Sequence, residues 1–159
     1  MMIGHTSQKE WDNLVRTHLL GDGLINGVLL LTHNLSHVYS YGLLNHVPEE
    51  QYMQLRGIFQ VFGDAEKESK LLQTGFVIDI ADFSEDTSVQ GDGLTNRTAV
   101  KFVIRKLNYH SIYATSHRNQ HGVILMNLPM GILIASHSYP VHSSVAAQQV
   151  EDVCMLLRT

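Results

Sequence analysis

A single cysteine, Cys154, occurs in 159 residues, so no intrachain disulfide can form and the chain fits a reducing compartment. A domain of this length buries enough core to fold without disulfides or metals. Long hydrophobic runs are missing as well. Stretches such as Gly27–Leu31 and Val123–Met126 fall far short of the roughly 20 apolar residues that span a bilayer. The first residues show no basic segment leading into an apolar one, so no export signal is expected, and the expected address is the cytoplasm. In that setting the sequons at Asn34-Leu35-Ser36 and Asn96-Arg97-Thr98 read as chance matches. Charge is sparse, 16% of residues against 44% hydrophobic, a globular rather than a disordered balance. Basic side chains are the minority, 11 against 15 acidic, for a net charge of −4 with histidine neutral. That balance argues against nucleic acid as a partner, because sequence-independent binding needs a basic stripe to displace counterions.

Catalytic signatures are equally scarce. There is no Gly-x-Ser-x-Gly elbow, no phosphate-binding glycine loop and no Cys-x-x-Cys pair. His117 and His121 stand four residues apart, but in a predicted connection between strands rather than on one helix face, with no acid beside them. Asp79, Asp82, Glu85, Asp86 and Asp92, with Gly91 and Gly93, have the look of a calcium loop, but the spacing fails. An EF-hand starting at Asp82 would need glycine at Thr87 and glutamate at Gly93. A flexible acidic loop or an extra hairpin is expected there instead. No catalytic residue, metal or cofactor is implied.

What the sequence does have is ten histidines. They read as ordinary surface and half-buried residues, yet protonating all ten would carry the net charge from −4 to +6, reversing the surface sign below about pH 6.5. Hydrophobic spacing supplies the elements. Ser7 and Glu10 form a capping-box pattern, and Trp11, Leu14, Val15, His18 and Leu19 then share a helical face ending at Gly21 and Gly23. Strands are predicted at Asn26–Leu31 and His37–Tyr41, then a helix opened by Pro48-Glu49-Glu50 with Tyr52, Leu55, Ile58, Phe59 and Phe62 inward. Gly63–Lys70 reads as a solvated connection.

Five further strands follow, at Phe76–Ile80, Val100–Arg105, Ser111–Thr115, Val123–Asn127 and Gly131–Ser136, the last two turning at Leu128-Pro129-Met130. A final helix, with Ser143 or Ser144 as N-cap, repeats Ala146, Val150, Val153, Cys154 and Leu157 toward the core. Short links between successive strands favour an antiparallel sheet and an α+β class, in one domain over residues 1–159.

This order, with specific residues in it, resembles the profilin family, in a divergent form that is protist-like or similar to animal profilin-4. Val141-His142-Ser143-Ser144 and the helix through Arg158 line up without gaps on the family's Val-His-Gly-Gly and terminal helix. Ser111–Thr115 and the hairpin Gly122–His137 resemble its last strands, and Phe102-Val103-Ile104-Arg105 its Val-Ile-Arg strand. Trp11, His37-Val38-Tyr39-Ser40 and Pro48-Glu49-Glu50 fall where profilins have a first-helix tryptophan, Val-Trp-Ala and the opening of the middle helix. The resemblance covers about residues 8–62 and 100–158, and makes Asp79–Ala99 an acidic insertion. It implies an antiparallel sheet of about seven strands, with the N- and C-terminal helices packed together on one face.

Profilins bind monomeric actin on one face and proline-rich ligands, such as those of formins, on another, and some bind phosphoinositides. The resemblance therefore implies a cytoplasmic, cytoskeletal regulator of actin assembly with no active site. Arg105 and His142 match residue types used on the actin face, and Asp152 replaces a glutamate there. Ala147, Gln148 and Gln149 stand where an asparagine and lysines are common, so the resemblance implies weakened actin binding.

For proline-rich ligands it assigns Trp11 and Tyr39 to an aromatic platform on which a preformed polyproline helix would stack. Leu14 replaces a common tyrosine and Leu156 a histidine or tyrosine, which implies weakened or altered proline recognition. For phosphoinositides the best cations are Arg97, Lys101, Arg105, Lys106 and Arg118, spread over different elements. Two other classes compete: a roadblock- or longin-like scaffold acting by dimerisation, and a small hydrolase built on dispersed histidines. The first is separated by where the terminal helices pack, the second by whether histidines converge in a pocket.

Overall fold

The structure, a computed structural model, describes residues 8–21, 23–81, 97–108 and 110–158. The chain runs α1 (Gln8–Val15), a π-helical turn (Arg16–Leu20), β1 (Gly27–Thr32), β2 (His37–Gly42), a 3-10 turn (Glu49–Gln51), α2 (Tyr52–Phe59), α3 (Ala65–Thr74), β3 (Phe76–Ala81), β4 (Arg97–Leu107), β5 (Ser111–Thr115), a 3-10 turn (His117–Asn119), β6 (His121–Leu128), β7 (Gly131–Ser138) and α4 (Ser143–Arg158). The strands form one seven-stranded sheet in the order β2-β1-β7-β6-β5-β4-β3, and every neighbouring pair is antiparallel.

The middle strands read as unbroken apolar runs because both faces of the sheet are covered, which is unusual for an antiparallel sheet. Side chains alternate across the pleat. From β1, Leu29 and Leu31 join one core with Tyr52, Leu55 and Ile58 of α2. Val28 and Leu30 join a second core with Trp11, Val15, Leu19 and the inner face of α4. β6 and β7 divide in the same way: Val123, Leu125, Ile132 and Ile134 face α2, while Ile124, Met126, Leu133 and Ala135 face α1 and α4. Each fully buried aliphatic side chain stabilises the fold by roughly 1.5–3 kcal/mol. The expected α+β architecture is present, with the two terminal helices on one face.

The edges of the sheet are closed by side chains and by curvature. Val77, Asp79 and Ala81 turn their backbone groups away from β4. The Ala81 N–H donates to the Leu43 carbonyl just beyond β2 at 2.9 Å, so the two edges of the curled sheet meet at that corner. Gln51 Oε1 accepts from the Asp79 N–H at 2.9 Å, and Gln54 Nε2 donates to the Val77 carbonyl. Thus α2 and the turn before it satisfy an edge that would otherwise recruit another strand.

Three expectations are revised. Gly63–Lys70 is not a solvated connection, because most of it belongs to α3. Asp64 caps that helix by accepting from the Lys67 N–H at 3.1 Å, and Gly75, at φ 66°, ends it where a Cβ would run into the Phe102 carbonyl. The cap of α4 is His142 rather than Ser143 or Ser144, since the helix begins at Ser143. The acidic insertion joins the β3–β4 hairpin: Asp79 pairs with Ala99 inside it, while residues 82–96 lie outside the described residues. So does Ser7, the expected cap of α1.

Replacing both Gln51 and Gln54 by alanine should strip the β3 edge of its side-chain partners. The expected cost is about 1 kcal/mol per lost bond, read as a lower urea midpoint with unchanged slope, together with faster aggregation on stirring. A midpoint equal to wild type would show that the glutamines do not guard the edge.

Candidate functional site

Arg105 owes its direction to an irregularity in β4. The β4–β5 register runs Val103 with Thr115 and Ile104 with Ala114, then resumes at Lys106 with Tyr113, leaving Arg105 as the extra residue of a bulge. A bulge bends its strand and re-aims a side chain. Here Arg105 stands on the α4 side of the sheet and its Nε donates to Thr115 Oγ1 at 2.9 Å.

His142 arrives at the same place from the other end of the chain. The turn after β7, closed by Val141 N–H to the Ser138 carbonyl at 2.9 Å, sets His142 before α4. Its Nδ1 accepts from the Ser144 N–H at 3.3 Å, and its carbonyl accepts from Val145 and Ala146. Arg105, Thr115, Arg118, Tyr139, His142 and Ser143 line one open groove of about 650 Å³. No carboxylate is among the described residues that line it, so it is cationic in a chain of net charge −4.

The structure thus brings Arg105 and His142 together, and adds two residues that the reading of the actin face had left out. Arg118 had been grouped with the other cations; it stands at φ 56°, followed by Asn119 also at φ 56°, a left-handed pair that is strained outside glycine. Tyr139 is 78% exposed. Nothing in the sequence pattern marks either. Asp152 is exposed farther along α4, accepting from Gln148 Nε2 at 2.9 Å, and is not among the groove's lining residues.

Four of the five cations grouped for phosphoinositides, Arg97, Lys101, Arg105 and Lys106, share β4 rather than lying on different elements. At roughly 3.3 Å per residue they are strung out along the strand, and Lys106 Nζ lies 5.5 Å from the centre of the Tyr113 ring.

The residues assigned to proline-rich ligands fare differently. Trp11 is 1% exposed and Tyr39 6%, both inside the core beneath α1 and α4. Leu14 is half-buried at its margin, and Leu156 is 53% exposed on α4. Tyr39 donates to Asp12 Oδ1 at 2.6 Å, Arg16 Nε donates to Asp12 Oδ2 at 2.8 Å, and the Arg16 guanidinium lies 5.1 Å from the centre of the Tyr41 ring. Burial, then the Asp12 hydrogen bond, pushes the Tyr39 phenol up, and the Tyr39 and Arg16 hydrogen bonds hold the Asp12 carboxyl down. Likewise Tyr113 of β5 donates to Glu151 of α4. Gln149 Nε2 donates to the His18 carbonyl, tying the two helices to each other. The tyrosines and the tryptophan fasten the terminal helices to the sheet, and among the described residues Trp11 and Tyr39 form no open aromatic platform.

Among the described residues no three histidine, cysteine or acidic side chains gather as a metal site, and no helix is long and apolar enough to cross a membrane. Trp11→Ala should cost about 3–5 kcal/mol in stability, measured by urea denaturation. A loss under 1 kcal/mol would show that the indole does not hold α1 to the sheet.

The family model described as Profilin matches residues 9–159, whereas no curated protein sequence matches. Solved structures share the fold. Acanthamoeba castellanii profilin IA has a TM-score of 0.64 at 20% identity, covering 92% of this chain and 95% of that one. LokiProfilin1, solved in complex with rabbit actin, has a TM-score of 0.63 at 10% identity, with 96% of each chain covered. Mouse profilin IIa, solved with a double repeat from the FH1 domain of mDia1, has a TM-score of 0.57 at 11% identity, covering 93% and 96%. The terminal helices, side by side on one face of the sheet, meet the condition that separates this fold from a roadblock-like scaffold. With a family model matched from near its first residue to its last, the chain belongs to the profilin family.

Proposed function

We propose that this protein binds monomeric actin through the groove of Arg105, Arg118 and His142 and regulates assembly by occupying one face of the monomer, without an active site of its own. One observation carries the proposal: the β4 bulge turns Arg105 toward His142 across an open groove whose described lining holds no carboxylate. An unpaired cationic surface of that kind suits an acidic patch on a protein partner, where charge sets specificity and association rate. A LokiProfilin1 structure with rabbit actin shows that a chain of this fold is able to take that partner. Asp152 extends the proposed face along α4. The cations strung along β4 form no convergent pocket, and the proposal does not extend to phosphoinositides.

Recognition of proline-rich segments is proposed to be weak. The mouse profilin solved with FH1 repeats makes such a ligand reasonable for the fold, but here the two rings assigned to stacking are covered and Leu156 offers an aliphatic side chain instead. Proline rings stack on aromatic faces, so the loss of open rings lowers affinity.

Two measurements test these readings. The protein should slow pyrene-actin assembly at micromolar concentration, and Arg105→Glu should weaken actin binding about tenfold or more, as expected when a charge in a contact is reversed. Wild-type affinity in that variant would remove the groove from the actin face. In a fluorescence titration with a proline decamer, Leu156→Tyr should tighten binding about two- to tenfold by restoring a ring. No gain would place any proline site elsewhere.

A further inference from the structure

Tyr139 is the most exposed large apolar side chain among the described residues, at 78%. A single exposed ring is ordinary on a protein surface; this one is set apart by how it is held and by what surrounds it. It directly follows β7, and its N–H donates to the Gln120 carbonyl at 2.9 Å. The Val141 N–H closes the turn on the Ser138 carbonyl at 2.9 Å, and Pro140 between them has its φ fixed by its own ring.

Gln120 belongs to a turn that is itself well closed. The Ser116 N–H donates to the His121 carbonyl at 2.8 Å, and the His121 N–H donates to Ser116 Oγ at 2.9 Å. The Asn119 N–H donates to the Ser116 carbonyl at 2.9 Å, and the same turn holds Arg118 at φ 56°. Arg118 and Tyr139 are therefore carried on neighbouring turns that are bonded to each other through the Tyr139 N–H. Their backbones need no reordering when a partner arrives, which removes one cost of association.

The ring stands between two hollows. On one side is the groove of about 650 Å³ that holds Arg105, Arg118 and His142. On the other is a hollow of about 510 Å³ lined by Arg118, Gln120, His121 and Ser138. Tyr139 and Arg118 line both, and Tyr139 is the one large aromatic side chain among the described lining residues. No carboxylate is among those residues in either hollow.

Charge and apolar area contribute differently to binding. The guanidiniums of Arg105 and Arg118 are exposed. Exposed charges speed encounter and select the partner, but each adds little affinity, because screening and desolvation offset the attraction. Affinity comes from a few residues that become fully desolvated, with tyrosine and arginine prominent among them. Tyrosine suits that role: little side-chain freedom is lost on burial, and its hydroxyl keeps a water-compatible tip. We propose that Tyr139 is the affinity anchor of this groove, its ring entering an apolar depression bordered by carboxylates on the actin monomer while Arg105 and Arg118 steer the approach. The occupant follows from complementarity, since cations around a ring call for acids around an apolar centre. This inference rests on the groove being the actin site.

Association and dissociation rates with assembly-blocked actin monomer, measured by surface plasmon resonance at about 50 and 200 mM salt, separate the two roles. Tyr139→Ala should raise the dissociation rate about tenfold or more, with the association rate within about twofold of wild type. Tyr139→Phe, which keeps the ring, should recover most of that loss. Arg118→Gln should instead slow association about two- to tenfold and flatten its salt dependence. The urea midpoint of Tyr139→Ala should equal that of wild type, and a lower one would make the ring structural and overturn the anchor. A wild-type dissociation rate in Tyr139→Ala, or a loss that phenylalanine does not recover, would overturn it too, while actin binding itself still stands. Absent binding of the wild-type protein to actin would overturn the actin reading and the anchor with it. Dimer formation or capture on phosphatidylserine vesicles that Tyr139→Ala abolishes, with actin rates unchanged, would give the ring to another occupant and likewise overturn the proposal.

Discussion

An antiparallel sheet whose middle strands are apolar on both faces cannot stand in water with either face open. In this chain β1, β6 and β7 impose that constraint, and the rest of the molecule answers it. One face takes α2 from the middle of the chain; the other takes α1 and α4 from its two ends. Two polar latches then orient the end helices, Tyr39 to Asp12 on one side and Tyr113 to Glu151 on the other. Their carboxylates reach down from the helices to phenols rooted in the sheet, so each latch fixes helix rotation as well as distance.

The covering of the sheet decides where function can sit. With both faces of its middle strands buried, the sheet offers solvent its edges, the outer face of β3 and β4, and the connections at its ends. The β3 edge is occupied by Gln51, Gln54 and the Leu43 carbonyl. The groove of Arg105, Arg118 and His142 lies instead where the β5–β6 turn and the entry to α4 converge. Two irregular backbone features build it, a bulge at Arg105 and left-handed residues at Arg118 and Asn119. Both cost free energy that a plain turn would not, and both direct cations to the same opening. Strain gathered at one place is more easily understood as a binding surface than as an accident of packing.

Much of the scaffold was readable from residue order. β6 and β7 announce themselves as apolar runs around Pro129, and α4 by its repeating inner face, because burial on a regular element leaves a periodic trace. α3 left almost none: only Leu71 packs against the core, while Leu72 is 44% exposed. Its one clear mark was Asp64 as a cap, set among charges that resembled a solvated connection. The groove was partly legible. Arg105 and His142 were named by family resemblance, but a bulge has no period and a left-handed arginine has no signature, so Arg118 and Tyr139 came into view only with the backbone. Trp11 shows a different limit, since its ring is 1% exposed. Its position matched the family's platform, yet sequence position does not say whether a ring faces water.

That burial is the physical ground for the proposed weakening of the proline-rich surface. An aromatic ring cannot at once seal a core at 1% exposure and lie open to a ligand. Uncovering Trp11 would mean lifting α1 from the sheet, and α1 is held there by Val15, Leu19 and the Asp12–Tyr39 hydrogen bond. Free energy gained by stacking a few prolines, about 1 kcal/mol per ring, is smaller than the burial that would be surrendered. The groove at the entry to α4 faces no such conflict. Its guanidiniums are already at the surface, anchored by single hydrogen bonds or backbone geometry, and contact with a partner requires no part of the core to open.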